Sequence, residues 1–407
     1  MEILPKKFGL RPQLAVEIRA GGVVAARAGG ASSDAGILGA VARAELGRDA
    51  VEPGLKPGNI KARAAVVAAV KKTLEAVQEK GTGRAVTVVV PDAVVRVLLL
   101  DFDTLPTKAA EAMPLVRFRL KKLLPFEVEE SQVSYQRMVA TGGAGSSGSG
   151  GKELLKVVAV AIPKAVLDEY EGVIREAGFE PGAVLPSTLA ALAGIEDEAG
   201  AAALVVNAGS QAVTTAIVEN GVLLLHRSVD LSGNVQVGIL AEALVVTETV
   251  ETIAVLPLVD RDASQQEWAM QEALPPFGRV EGREVGSMDA GMSSGSMLID
   301  TVTVTTTTST LNGRLEEVVQ AVSVAAAYYE DLLQRSPSEV LSAGSTGAEK
   351  LAAMLHEAGF GVVSDARTGE SAVTVREIVG AEALGPQAAT TRVPACWLAG
   401  VRGALRS

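Results

Sequence analysis

The chain has 407 residues, more than one hydrophobic core normally serves, so two or more subdomains are expected. Hydrophobic residues make up 48% of it but aromatics only 3%, so the cores must be aliphatic. A net charge of −11 excludes the basic footprint of a dedicated nucleic-acid binder, and the single Cys396 excludes an internal disulfide or a Cys-rich zinc site and suits a reducing cytoplasm.

The first residues, MEILPKKFGLRPQ, carry lysines but no apolar core segment, so they are not read as a signal peptide. No run of about 18 apolar residues follows anywhere, and no transmembrane helix is expected. Residues 14–18 and 23–28 read as short strands joined by Arg-Ala-Gly-Gly. Residues 60–79 read as a helix with Ala and Val on one face, 85–91 as a buried strand of four valines, and 94–101 as a further strand. The segment LPTKAAEAMPLVRFRLKKLLPFEVEESQVSY at 105–135 reads as a helix, stopped at Leu124-Pro125-Phe126, then an acidic loop and a strand with period-2 alternation. A Gly/Ser/Ala run at 141–151 reads as a flexible hairpin tip. A strand at 154–162, a helix at 164–177 closed by Gly178, and a helix at 186–194 come next. The pattern then restarts, with a strand at 203–206, the turn Asn207-Ala208-Gly209-Ser210, a strand at 213–219, the hairpin signal Asn220-Gly221 and a strand at 222–228. Residues 244–310 are anomalous. Thr and Val dominate both ends, which favours strands, possibly a two-stranded ribbon, around an exposed Gly/Met/Ser loop at 278–296. The chain closes with a long helix at 311–333, a buried strand at 340–341, the loop 342–347, a helix at 348–358 and a terminal helix at 394–405.

Two strand–turn–strand units suggest a duplicated α/β architecture, and they resemble the paired phosphate-gripping hairpins of the actin superfamily. The order of 105–135 resembles the small 1C subdomain of the PilM family, FtsA-like actin-fold proteins of type IV pilus assembly. The ending CWLAGVRGALR resembles the family's Ala/Gly-rich terminal helix, and the loop 342–347 resembles its adenosine loop. The resemblance covers most of the chain and lapses over 244–310. It implies an actin-like (ribonuclease H-like, duplicated) two-lobed α/β fold with an inserted 1C-type subdomain. The divisions expected are 1A at 1–92 and 154–198, 1C at 93–153, 2A at 199–235 and 336–407, and an elaborated 2B-like subdomain at 236–335.

The family's first hairpin runs Asp-Ile-Gly, small residues, then Lys. The matching positions here are Glu17, Ile18, Arg19, Ala20, Gly21 and Gly22, with Val24 at the lysine. In the second hairpin Asn207 replaces an Asp, Gly209 and Ser210 keep the turn, and Val213 takes a later Asp position. The adenosine loop keeps Gly344 and Ser345, with Ala343 in place of a second glycine. The resemblance thus implies a degenerate ATP site of Glu17, Gly21, Gly22, Asn207, Gly209, Ser210, Gly344 and Ser345. An actin-type ATPase needs carboxylates for magnesium and water, and of the matched positions only Glu17 supplies one. No catalytic or metal-binding residue is assigned, hydrolysis is not expected, and ATP with magnesium stays an open cofactor. His226 and His356 lack ligand spacing, Cys396 reads as core, and no G-x-S-x-G supports Ser/His/Asp catalysis.

The resemblance also implies a partner, the short N-terminal tail of a PilN-like bitopic inner-membrane protein. The tail would lie as an extended peptide in a groove between 1A and 1C, lined by the 94–100 strand with Val97 and Leu99 and by the 115–124 helix with Phe118, with Arg117, Arg119 and Lys121 near a rim that favours acidic residues. The basic run Arg117, Arg119, Lys121 and Lys122 stands where the family carries acids. It reads either as a solvated face or as a docking surface for an acidic partner or anionic headgroups. The expectation is a cytoplasmic scaffold held at the inner membrane by its partner. The rival readings are an active ATPase of the same fold, a cytoplasmic GspL-like component of type II secretion, and a sugar-kinase relative, the last disfavoured because no catalytic Asp is evident.

Overall fold

A hairpin opens the fold: β1 (Leu14–Arg19) pairs antiparallel with β2 (Gly22–Ala28), and β2 with β3 (Leu38–Glu45). The structure is a computed structural model that describes residues 12–29, 36–79, 81, 83–138, 154–195, 202–231, 300–360, 362–363 and 373–406. One compact unit comprises Met1–Ser232 and Thr310–Ser407, and a second comprises Gly233–Ser309. Every element named here lies in the first unit, apart from the start of one helix.

Helix α1 (Arg63–Val77) follows the hairpin, then β4 (Ala85–Val90) and β5 (Arg96–Phe102). Helix α2 (Ala109–Leu120), β6 (Ser131–Arg137), β7 (Leu155–Pro163), α3 (Lys164–Glu176), β8 (Glu180–Pro186) and α4 (Ser187–Ala193) complete the first half. The second half holds β9 (Ala202–Ala208), β10 (Ala212–Glu219), β11 (Val222–Asp230), α5 (Asp300–Leu333), β12 (Glu339–Ala343), α6 (Ala348–Glu357), β13 (Val362–Val363) and β14 (Val373–Glu377). It ends with the short α7 (Pro386–Ala389) and α8 (Ala399–Leu405).

The duplication is visible in the sheets. The first has the order β3-β2-β1-β4-β8 and the second β11-β10-β9-β12-β14-β13. Each begins as an antiparallel three-strand meander and continues with parallel strands on its other side. Parallel strands are covered on both faces, which is why β4 reads as a run of valines with Val86, Val88, Val89 and Val90 all buried. One hydrophobic core joins the two sheets, because Val16 and Val88 of the first share it with Val205 and Leu341 of the second. Helices α4 and α8 contribute Leu189, Leu192, Val401 and Leu405 to this core. Small residues let these helices approach: a Cβ on Gly403 would lie 1.7 Å from the Ala190 carbonyl oxygen. The other face of the second sheet packs on α5 and α6 through Val318, Val322, Tyr329, Leu351 and Leu355.

A third sheet, β5-β7-β6, has its own core with α2, where Ala112, Val116 and Leu120 recur at i,i+4 spacing against Leu100, Phe102, Val133 and Ala159. Because β7 pairs along its length with both β5 and β6, this sheet runs past the boundary at 153 expected from the sequence. Helix α2 ends at Leu120, one turn before Pro125, in a tight turn where Leu123 and Leu124 N–H groups both reach the Leu120 carbonyl.

The Thr/Val run at 301–310, expected as strand, is helical, since α5 starts at Asp300. Extending an existing helix adds one hydrogen bond per residue fixed, and strand propensity depends on neighbours to pair with. The expected ribbon partner, the loop at 278–296 and the Gly/Ser run at 141–151 lie outside the described residues.

Candidate functional site

Glu17 of the first hairpin, Asn207 of the second and Gly344 of the loop after β12 meet at the cleft between the first two sheets, Glu17 and Asn207 through Ser187. Glu17 is fully buried near the end of β1. Its Oε1 accepts Arg19 Nε at 2.8 Å and Ser187 Oγ at 2.7 Å, and its Oε2 accepts Arg19 Nη2 at 2.8 Å. The Arg19 guanidinium lies 5.0 Å from the Trp397 ring centroid, with Arg43 at 4.1 Å from the same ring. A cation on the indole face gains from the ring quadrupole, most of all when desolvated. Helix α8 closes this pocket from behind, because a Cβ on Gly400 would stand 2.4 Å from Glu17 Oε2.

A second carboxylate, Asp92, follows β4 in a 3₁₀ turn and is buried. Its Oδ1 accepts the Thr188 N–H at 3.0 Å, and its Oδ2 accepts Thr188 Oγ1 at 2.5 Å and Asn207 Nδ2 at 3.1 Å. Asn207 Nδ2 also stands 3.0 Å from Ser187 Oγ and 3.0 Å from Thr188 Oγ1. All four carboxylate oxygens therefore accept from protein donors. His226, on β11, has Nε2 shielded from solvent and without a hydrogen-bond partner. Burial holds its pKa below the ordinary imidazole value, while the charge of Asp92 opposes that shift.

The loop after β12 packs onto the second hairpin. Gly344 has φ +88°, and a Cβ there would lie 2.4 Å from Asn207 Oδ1 and 2.5 Å from the Ala208 carbonyl oxygen. Only glycine permits that approach. Thr346 donates its N–H at 3.1 Å and its hydroxyl at 2.9 Å to the same Ala208 carbonyl. The loop's end is capped by Glu377, whose Oε1 accepts the Ala348 N–H at 2.6 Å, while its Oε2 is buried without a partner. Burial raises the Glu377 pKa, and the Ala348 N–H opposes the rise. Cys396 is buried beside it, and burial and the Glu377 charge push its thiol pKa up.

A magnesium-bound nucleotide needs carboxylate oxygens turned to an open cleft and turn N–H groups free to meet phosphate. The residues present do not fit that group. The carboxylates face protein donors, Arg19 occupies the space beside Glu17, and Gly22 is pressed against Ala44 and Trp397, where a Cβ would lie 2.7 Å from the Ala44 carbonyl oxygen. Gly21 and Ser210 are exposed in their turns, the Gly209 N–H bonds to the Ala212 carbonyl at 2.9 Å, and Ser345 is half-buried.

The inserted three-stranded sheet presents the contrasting surface. Phe118 is 67% exposed, Leu115 44% and Leu123 51%. Phe102, Asp103, Thr104, Leu115, Phe118 and Arg119 line a depression of about 220 Å³. Arg119 stands 5.6 Å from the Phe102 ring centroid. Arg117, by contrast, donates to the Val128 carbonyl at 2.8 Å, and Lys121 pairs with Glu129 at 3.2 Å. Val97 and Leu99 face the main core, while Leu98, Leu100 and Phe102 turn to α2. The five residues expected to line one groove are therefore split. Alternate residues of a strand point to opposite faces, so Val97 and Leu99 cannot share a face with the α2-packed set.

No protein-family model matches the chain, and no curated protein matches it. A solved structure of the PilM–PilN type IV pilus biogenesis complex matches with a TM-score of 0.59 at 16% sequence identity, covering 97% of this chain and 98% of that one. The chain has a PilM-like actin fold. Two other structures align less well. The cytoplasmic domain of EpsL, from the type II secretion system of Vibrio cholerae, gives a TM-score of 0.33 at 13% identity over 54% of this chain and 71% of that one. The ethanolamine utilization protein EutJ from Carboxydothermus hydrogenoformans gives 0.37 at 11% identity, over 98% and 91%.

Within this PilM-like fold, sequence reasoning placed Glu17, Asn207 and Gly344 but missed Asp92, Ser187, Thr188, Arg43 and Trp397. A signal for Asp92 was available: it lies just past the carboxyl end of a buried parallel strand, where open α/β sheets place their ligand groups. Ser187 and Thr188 likewise open the helix after β8. Nothing local marks Trp397, which meets the first hairpin from the far end of the chain.

Proposed function

We propose that this chain is a non-enzymatic scaffold of a type IV pilus or related secretion machine. It receives the N-terminal tail of a PilN-like inner-membrane protein and is held at the membrane through that partner. The observation that carries this reading is the match, over nearly the whole of both chains, to the PilM–PilN complex. Among the described residues no helix is long and apolar enough to cross a membrane, which is in keeping with attachment through a partner. Every oxygen of Glu17 and Asp92 accepts from a protein donor, which supports the absence of ATP hydrolysis, a reaction that needs a carboxylate directed at metal or attacking water.

In this reading the tail rests on the inserted three-stranded subdomain, with Phe118 and Leu115 as apolar contacts. Arg119 is the basic residue at the depression, because Arg117 and Lys121 already have partners within the subdomain. Apolar anchors set the lifetime of such a complex, and rim charges set its association rate. The test is pull-down of the full chain by a synthetic N-terminal tail of a PilN-like protein, coupled to resin. Retention by the tail and not by a scrambled tail is expected. Equal retention by both would remove the reading.

A further inference from the structure

The cleft network does more than saturate two carboxylates; it ties two sheets to each other. Glu17 and Arg19 end β1, Asp92 follows β4, and Ser187 and Thr188 open the helix after β8, so all five are carried by the strands of the first sheet or by the turn and helix that follow them. Asn207 stands on β9 of the second. Its amide nitrogen faces three first-sheet oxygens within 3.1 Å, on Asp92, Ser187 and Thr188. The other side of Asn207 and the Ala208 carbonyl are packed by Gly344 and Thr346 of the loop after β12. The chain of contacts thus runs from Trp397 through Arg19, Glu17 and Ser187 to Asn207, and onward into the second sheet's loop.

A buried carboxylate needs a cation or several donors beside it. At Glu17 that cation is built in as Arg19, and at Asp92 the donors are Thr188 and Asn207. We propose that this network is an internal replacement for a cleft ligand of the magnesium–nucleoside triphosphate class: side chains of the chain itself join the two sheets, and the joined state neither requires nor responds to nucleotide. This goes beyond loss of hydrolysis, because an inactive site could still bind nucleotide and be closed by it. It holds whether or not the chain docks a membrane tail, so it fails or stands apart from the proposed function.

Two measurements on the full chain decide it. Thermal unfolding and equilibrium dialysis with Mg-ATP at millimolar concentration come first; no shift in Tm and no retained nucleotide are expected, since a ligand that binds only the folded state must raise Tm. Hydrogen exchange of Asn207→Ala and Arg19→Ala comes second. Each substitution is expected to speed exchange in both α4 and β9, and the double variant is expected to show less than the sum of the two effects, as groups in one network do. A rise in Tm or retained nucleotide overturns the proposal. So does faster exchange confined to the sheet that carries the substitution. Should either variant fail to fold, the measurement on the unaltered chain still decides.

Discussion

The cleft and the inserted subdomain treat exposed chemistry in opposite ways. In the cleft, where the fold would place a ligand, both buried carboxylates are bonded, and the space beside Gly22 and Gly344 is filled by backbone from neighbouring elements. On the inserted subdomain, large apolar side chains stand in solvent around a depression while the cations beside them are only partly engaged. Buried polar groups that are fully paired specify one arrangement, whereas exposed apolar clusters mark surfaces that other molecules cover. Under the proposed function, the cleft holds the fold together and the subdomain carries recognition.

The sharpest way to break that contrast is Glu17→Ala. It leaves the Arg19 guanidinium, whose side chain is only 12% exposed, without its counter-ion, and removing one member of a largely buried pair costs up to about 3–5 kcal/mol. Urea denaturation is expected to show a loss of that order. A loss under about 1 kcal/mol would mean that water reaches the pair and that the cleft is open. Next in size is Gly403→Ala. The added methyl meets the Ala190 carbonyl, so α8 and α4 must separate, and overpacking of this kind costs about 1–3 kcal/mol. An unchanged midpoint would show that the two helices are not held in register at the core.

A smaller effect concerns Glu377. Burial raises its folded pKa above the unfolded value, so its contribution to stability is present below the ordinary glutamate pKa and is lost as pH rises through the folded value. Glu377→Gln is expected to remove this loss, raising stability at neutral pH by less than about 1 kcal/mol and leaving it unchanged in acid. Denaturation curves at acidic and neutral pH check the sign, and a variant equally destabilised at both would contradict it. The smallest effect on stability is expected for Phe118→Ala. An exposed side chain away from caps and cores moves stability by no more than about 0.5 kcal/mol, although partner dissociation should quicken.

The sequence carried the repeated design because periodicity and turn chemistry mark it locally. The valine strand, the hairpin at Asn220-Gly221 with φ of +50° and +75°, and Gly178 with φ +87° closing α3 all lie where their residues indicate. It did not carry β3, β8 or β14. The first is diluted with alanine, the second contains Pro181-Gly182, and the third is short, so each is a strand because a neighbouring strand pairs with it. The same limit applies to the site. Glu17 meets Ser187 across 170 positions of sequence, and Asp92 meets Thr188 across 96. Residue type and spacing are blind to pairs brought together only by the fold. Strand alternation hides in the same way which face meets which core: Val97 and Leu99, read as lining a groove, lie on the core-facing side of β5.

Surface plasmon resonance with the immobilised N-terminal tail of the PilN-like protein tests the division between cleft and subdomain most directly. The unaltered chain, Phe118→Ala and Asn207→Ala are compared below the melting temperature of each. Faster dissociation is expected for Phe118→Ala, and kinetics like the unaltered chain for Asn207→Ala. Unchanged kinetics for Phe118→Ala together with lost binding for Asn207→Ala would contradict the division and place recognition at the cleft.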